Sequence, residues 1–191
     1  VADEVGRAAQ RRLRGERAVR HVEASIPDDA EVLRAGIGLD AIVIDVADIV
    51  RDAADLYAEV VEEKGLTLTV DVAANVPALN GDRARLTQAI ANLIDNAIKY
   101  TPPPGSITVT ARHSHAGVEI AVTDTGPGVP PEDHVRIWER LYRGDQSRSA
   151  RGLGIGLSLV RAIAEAHGGR AALAPAPQGG ARFVVTLPAA S

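Results

Sequence analysis

Three short runs in this sequence combine residue types suited to holding a charged, phosphorylated ligand. In the first, Gln88, Asn92, Asp95, Asn96 and Lys99 recur at helical spacing and share one polar arc about 100° wide. Leu86, Ala89, Ile90, Leu93, Ile94 and Ala97 take the opposite side. An ordinary solvated face would carry Glu, Lys and Arg, whereas Asn is a poor helix former, so two of them one turn apart need a reason. Amide oxygens on a rigid helix suit a hard cation such as Mg²⁺, which completes its shell with waters and phosphate oxygens. The second run, Asp124-Thr125-Gly126-Pro127-Gly128, places a carboxylate beside a loop that backbone or ligand can approach closely. A carboxylate only accepts hydrogen bonds, which suits the exocyclic amine of adenine and opposes the carbonyl that guanine has there. The third, Gly152-Leu153-Gly154-Ile155-Gly156-Leu157, opens a helix, where backbone N–H groups and the helix dipole favour phosphate. It is neither a Walker sequence nor the dinucleotide fingerprint. Each run alone is commonly structural; the order and spacing of all three carry the reading.

The elements that must position these residues follow from periodicity. Leu39 to Ile44 reads as a strand, and Asp45 as the N-cap of a helix whose Ile49, Ala53, Leu56, Val60 and Lys64 fall on one face, ended by Gly65. Leu66, Leu68 and Val70 alternate with polar residues, as in a half-buried strand. Asp82 caps a helix to about Tyr100, stopped by Pro102-Pro103-Pro104-Gly105. Ile107 to Ala111 and Val118 to Val122 form a hairpin turning through His113 to Gly117. A third amphipathic helix is expected from Asp133 to Tyr142, a stretch without large apolar residues from Arg143 to Gly152, and a fourth helix from Gly154 to Ala166. His167 would sit at its C-cap, and strands Arg170 to Ala174 and Arg182 to Leu187 complete the chain. Hairpins among the interleaved elements favour an α+β fold, a two-layer sandwich, over a doubly wound parallel sheet.

Composition bounds the function. At 191 residues and 46% hydrophobic the chain can build a full core, and it lacks the apolar run of about 18 residues that a membrane helix needs. The absence of Cys excludes disulfide frameworks, thiolate zinc sites and cysteine catalysis. Five aromatic residues and a net charge of −4 argue against nucleic acid as a partner. Residues 1–36 form a separate N-terminal segment, Arg-rich with six Arg among its first 24 residues, and expected to be weakly helical or partly disordered; residues 37–191 form the domain. The start at Val1 and the lack of Met suggest a piece of a longer polypeptide.

Taken in order, the runs resemble the motifs of bacterial two-component sensor histidine kinases. Asn92-Leu-Ile-Asp-Asn-Ala-Ile-Lys-Tyr-Thr101 is similar to their N box, Asp124 to Gly128 to the G1 box, Ile137 to Arg143 to the F box, and Gly152 to Leu157 to the G2 box. The flanks Gly81-Asp82-Arg83, His167-Gly168-Gly169 and Phe183 to Pro188 match as well, so the resemblance spans roughly Leu39 to Pro188. It implies the Bergerat ATP-binding fold, a mixed sheet with helices on one face, and ATP with Mg²⁺ as cofactors. Asn96, helped by Asn92, would ligand the metal, with Lys99 near phosphate and Tyr100 against the nucleotide. Asp124 would bind the adenine amine in a pocket shaped by Gly126 and Gly128. Residues 143–152 would be an ATP lid, from which Arg143 and Arg148 reach the terminal phosphates, with Gly152, Leu153, Gly154, Ile155, Gly156 and Leu157 at its far end. A histidine-bearing dimerisation hairpin and a response regulator would be partners. The location implied is cytoplasmic, as the inner portion of a membrane sensor whose anchor lies elsewhere in the parent protein.

The departures are informative. Trp138 stands where the family has Phe, and Ala181 where it often has Thr near the nucleotide. His21 alone precedes the domain, and His21-Val-Glu-Ala-Ser-Ile-Pro27 fits the acceptor pattern poorly, with too few residues after it for a return helix. The γ-phosphoryl group would therefore pass to a histidine outside this segment. Two other readings use the same fold. A hydrolytic ATPase of the gyrase and Hsp90 branch would need a Glu where Asn92 stands, and an amide is no base. A nucleotide-gated interaction module would bind ATP and transfer nothing.

Overall fold

The structure, a computed structural model, describes residues 42–142, 154–177 and 179–190. Expectations for residues 1–36, including His21, and for Arg143, Arg148, Gly152 and Leu153 fall outside the described residues. The order is β1 (Ile42–Ile44), α1 (Val46–Asp55), α2 (Ala58–Glu63), β2 (Leu66–Val72), β3 (Leu79–Gly81), α3 (Arg83–Tyr100), β4 (Gly105–Ser114), β5 (Gly117–Asp124), α4 (Gly156–Ala166), β6 (Arg170–Ala174) and β7 (Arg182–Leu187). Five strands form one mixed sheet in the order β2-β4-β5-β7-β6, parallel between β2 and β4 and antiparallel elsewhere, and β1 pairs with β3 in a small second sheet. This is the α+β sandwich that the patterning predicts.

The core forms where the two periodicities meet. Ile107, Val109 and Ala111 of β4 and Val118, Ile120 and Val122 of β5 are buried at alternate positions. Leu86, Ala89, Ile90, Leu93, Ile94 and Ala97 of α3 and Leu159, Val160 and Ile163 of α4 close over them. Each large aliphatic side chain buried in this way contributes about 1.5–3 kcal/mol. The Asp45 side chain accepts from Ala47 N–H at 2.8 Å, and Asp82 from Arg85 N–H at 3.1 Å, so both carboxylates cap as expected.

Several expectations need correction. The helix after Asp45 is two helices broken at Leu56 and Tyr57, and its buried stripe runs through Val46, Val50, Ala53, Tyr57 and Val61, leaving Leu56 exposed. The larger Tyr57 ring takes the core position beside it. Strand β3 was not expected at all. His113 belongs to β4, paired with Val118, so the hairpin turn contains only His115 and Ala116. The helix expected from Asp133 to Tyr142 is instead two single 3₁₀ turns, Pro131–Asp133 and Arg136–Trp138, with His134 ending the first rather than opening a helix. A regular helix would align Val135, Trp138 and Leu141 on one face. Only Trp138 finds a place in the core, edge-on to Phe183 with ring centroids 5.9 Å apart, while Val135 is 79% and Leu141 64% exposed. Leu141 turns to φ 62°, and its N–H reaches Gly154 O at 3.0 Å.

His167 does more than end α4. Its Nδ1 lies 2.8 Å from Ile163 O, and its Nε2 lies 3.0 Å from the Asp82 N–H that begins α3. One ring nitrogen faces an acceptor and the other a donor, so a ring carrying its proton on Nδ1 satisfies both. Gly81 makes room for it, since a Cβ there would stand 2.5 Å from His167 Cδ2 and 3.1 Å from Leu86 Cδ1. Gly81→Ala should therefore cost about 1–3 kcal/mol through overpacking. Urea denaturation measures this, and an unchanged midpoint would show that the imidazole is not confined.

Candidate nucleotide-binding site

Asp124 ends β5 and is only 4% exposed. Its Oδ1 accepts from Gly126 N–H at 2.8 Å and from Ala181 N–H at 3.2 Å, and its own N–H donates to Ala181 O at 2.9 Å. Oδ2 accepts no hydrogen bond from the described residues, which leaves one carboxylate oxygen for a ligand. Burial pushes the Asp124 pKa up, and the two backbone donors offset part of the rise.

Backbone closeness explains the glycines here. A Cβ on Gly126 would lie 2.8 Å from Tyr100 O, and one on Gly128 2.8 Å from Gly180 O. Gly180, at φ +80°, packs its Cα directly on Asp124 O, where a side chain would overlap it. The sequence reading missed Gly180, although the Gly179-Gly180 pair was visible. Ala181, which stands where the family often has Thr, holds the Asp124 carboxylate through its main chain. Thr125 Oγ1 accepts from Ser106 N–H at 2.9 Å and anchors the loop to β4.

The polar arc of α3 lies beside the N-terminus of α4. Asn92 is 6% exposed, and its amide nitrogen meets no hydrogen-bond partner among the described residues. A buried donor left unpaired costs about 1–3 kcal/mol, which an anionic oxygen would recover. Gly156 faces this amide, with ordinary van der Waals room of 3.9 Å from a Cβ to Asn92 Oδ1. Asn96 follows one turn on and is half-buried. The Lys99 ammonium pairs with Asp95 at 2.7 Å, and Tyr100 is exposed at the helix end. Ile155 and Leu157 are half-buried where α4 begins, and Gly154 has φ +69°. The structure thus brings Asn92 to Gly156, and the end of α3 to Gly126 beside Asp124. No group of three or more His, Cys, Asp or Glu that could hold a metal occurs among the described residues. A cation held by amide oxygens and phosphate, rather than by a protein cage, is the kind these residues fit.

These features define a class. The sequence profile described as Histidine kinase-, DNA gyrase B-, and HSP90-like ATPase matches residues 81–191, and the chain belongs to that family. Within it, the chain is 40% identical over 144 residues to the adaptive-response sensory kinase SasA of Synechocystis sp., covering 75% of this chain and 38% of that protein. It is 37% identical over 148 residues to the sensor-like histidine kinase SenX3 of Mycobacterium tuberculosis, covering 76% and 36%. The chain spans less than two-fifths of either relative. The solved ATP binding domain of PrrB from Mycobacterium tuberculosis is 34% identical, with a TM-score of 0.64 and coverage of 80% of this chain and 99% of that one. Full-length ShkA, solved in complex with AMPPNP, is 31% identical at TM-score 0.70, covering 82% and 33%. No helix among the described residues is long and apolar enough to cross a membrane.

The raised pKa of Asp124 gives a pH prediction. A carboxyl whose folded pKa exceeds its unfolded one favours folding most below the unfolded value of about 3.9, and that contribution is lost as pH rises through the folded value. Asp124→Asn removes the titration. Relative to the variant, the parent should therefore lose stability as pH rises from about 3.9 through the folded value, as read from thermal unfolding of both proteins. An advantage that grows with pH would mean the carboxylate is stabilised, not penalised, by its site.

Proposed function

We propose that this chain is the ATP-binding catalytic domain of a sensor histidine kinase, residues 37–191, preceded by a linker segment. It would transfer the γ-phosphoryl group of Mg·ATP to a histidine on a separate dimerising hairpin, from which a response regulator takes it. The observation that carries this is a pair of groups that meet no hydrogen-bond partner among the described residues: the second carboxylate oxygen of buried Asp124, and the amide nitrogen of Asn92 beside the start of α4. The first suits an adenine amine and the second a phosphate oxygen. A cytoplasmic position fits this use of ATP, with any membrane anchor in the remainder of the parent protein.

The chain's own residues mainly position and neutralise. Asp124 orients the base, Gly126 and Gly128 let the loop close on it, and Gly154 and Gly156 let backbone N–H groups approach phosphate. Asn96 with Asn92 would hold Mg²⁺, whose charge offsets that of the phosphates. Lys99 can reach phosphate once it leaves Asp95, and Arg143 and Arg148 are assigned to the terminal phosphates by resemblance. The acceptor imidazole supplies the nucleophile, so no base is required in the domain. This is why the amide at Asn92, which cannot activate water, favours transfer over hydrolysis.

Two of the domain histidines are engaged within the domain. Both ring nitrogens of His167 are engaged, and His134 Nε2 lies 2.9 Å from Val129 O. The chain alone should bind ATP without autophosphorylating, and the parent's hairpin supplied in trans should acquire acid-labile phosphate. Label on this chain that disappears in His21→Gln would make His21 the acceptor. ATP binding without label on either would favour the interaction-module reading.

Two substitutions test the site itself. Asp124→Asn should weaken ATP binding by at least about ten-fold, because a charge-assisted hydrogen bond to the base is lost. Asn96→Ala should reduce the Mg²⁺ dependence of binding. Calorimetric titration checks both; unchanged ATP affinity in the first, or affinity in the parent that is indifferent to Mg²⁺, would remove those assignments.

A further inference from the structure

The last turn of α3 is left short of donors by the sequence that follows it. In a helix, the carbonyls of Ile98, Lys99 and Tyr100 would accept from the residues four positions on. Those residues are Pro102, Pro103 and Pro104, which have no N–H. The last regular bond runs from Thr101 N–H to Ala97 O at 3.0 Å.

A neighbouring element supplies what is missing. Lys64, at the C-cap of α2, donates from its ammonium to Ile98 O and reaches Lys99 O at 3.4 Å. Gly65, at φ +70°, passes over the proline run, with 3.6 Å between a Cβ there and Pro103 Cβ. Leu66 then pairs with Gly105. The junction between α2 and β2 therefore lies along the junction between α3 and β4. The third carbonyl, that of Tyr100, lies against Gly126, where a Cβ would stand 2.8 Å from it. Cations at a helix C-terminus are favoured by the dipole, and an ammonium can serve two carbonyls at once.

We infer that Lys64 is a positioning residue for the nucleotide pocket: its ammonium replaces the donors that Pro102 and Pro103 lack, and by holding the last turn of α3 keeps the Tyr100 carbonyl against the loop that carries Asp124. The inference rests on the nucleotide-site reading above. Lys64 acts through the end of α3, not by touching phosphate. Its removal should therefore weaken every ligand that carries the base, whatever the number of phosphates.

Lys64→Met and Lys64→Arg in the full chain, titrated with adenosine, ADP and ATP in the presence of Mg²⁺, test this. The Met variant should lose about three- to ten-fold in affinity for all three by a similar factor. The Arg variant, which keeps cationic donors, should stay within about two-fold of the parent. In hydrogen exchange without nucleotide, the amides from Ile98 to Thr101 should exchange faster in the Met variant, while those from Leu86 to Ile94 keep their rates. Unchanged affinity in Lys64→Met would overturn the inference. So would a loss that grows with each phosphate, which would make Lys64 an electrostatic ligand. If the Met variant does not fold, Lys64→Gln takes its place, and failure of both to fold would make the residue structural only. A parent that binds no adenine compound would sink the site reading instead, and the exchange rates would still report on the Lys64 clamp.

Discussion

A carboxylate buried at the end of β5 governs much of what surrounds it. Removing such a group from water is costly unless donors are fixed around it. The donors to Asp124 are main-chain N–H groups from two loops far apart in sequence, at Gly126 and Ala181. Bringing both within hydrogen-bond distance presses three stretches of backbone together, and Gly126, Gly128 and Gly180 are the residues that permit it. The glycines that could be mistaken for flexibility are the consequence of an electrostatic demand.

The second organising feature is a helix whose ends are both held by others. His167, at the end of the following helix, accepts from the N–H of Asp82, the N-cap of α3, and Lys64, at the end of the preceding one, meets the carbonyls of Ile98 and Lys99. Between them the helix carries Asn92 and Asn96 on one side and aliphatic residues on the other. At about 1.5 Å per residue, it sets a fixed separation of about 12 Å between Asn92 and Tyr100. A helix free to fray at either end could not hold that spacing.

Legibility in the sequence tracked the strength of the local pattern. Helix α3 was readable because a capping Asp, a long apolar stripe and a proline stop agree, and β6 and β7 because the glycine pairs Gly168-Gly169 and Gly179-Gly180 precede two short runs. The F-box segment was misread because Val135, Trp138 and Leu141 mimic a helical stripe, while the core accepts only the indole. The break at Tyr57 was missed because Leu56 and Tyr57 both fit an apolar face, and their choice depends on tertiary space. At the site, side chains with chemistry were visible and their supports were not. The role of Ala181 lies in its main chain, which no side-chain pattern reports. Lys64 looked like one more position on a helix face, because its partners are carbonyls 34 and 35 residues away.

The sheet order also bears on how the protein is made. Strand β7 lies between β5 and β6 in the five-stranded sheet, yet it follows β6 in sequence. Val118 pairs with Leu187, a contact that closes a long loop and belongs to the slow class of folding events. A chain emerging from the ribosome can assemble β4, β5 and the helices over them, but it presents β5 as an open edge until residues 182–187 arrive. The same late segment brings the Ala181 N–H that Asp124 needs. The carboxylate at the end of β5 therefore gains its second main-chain donor only once β7 has docked, which couples the pocket around Asp124 to closure of the sheet.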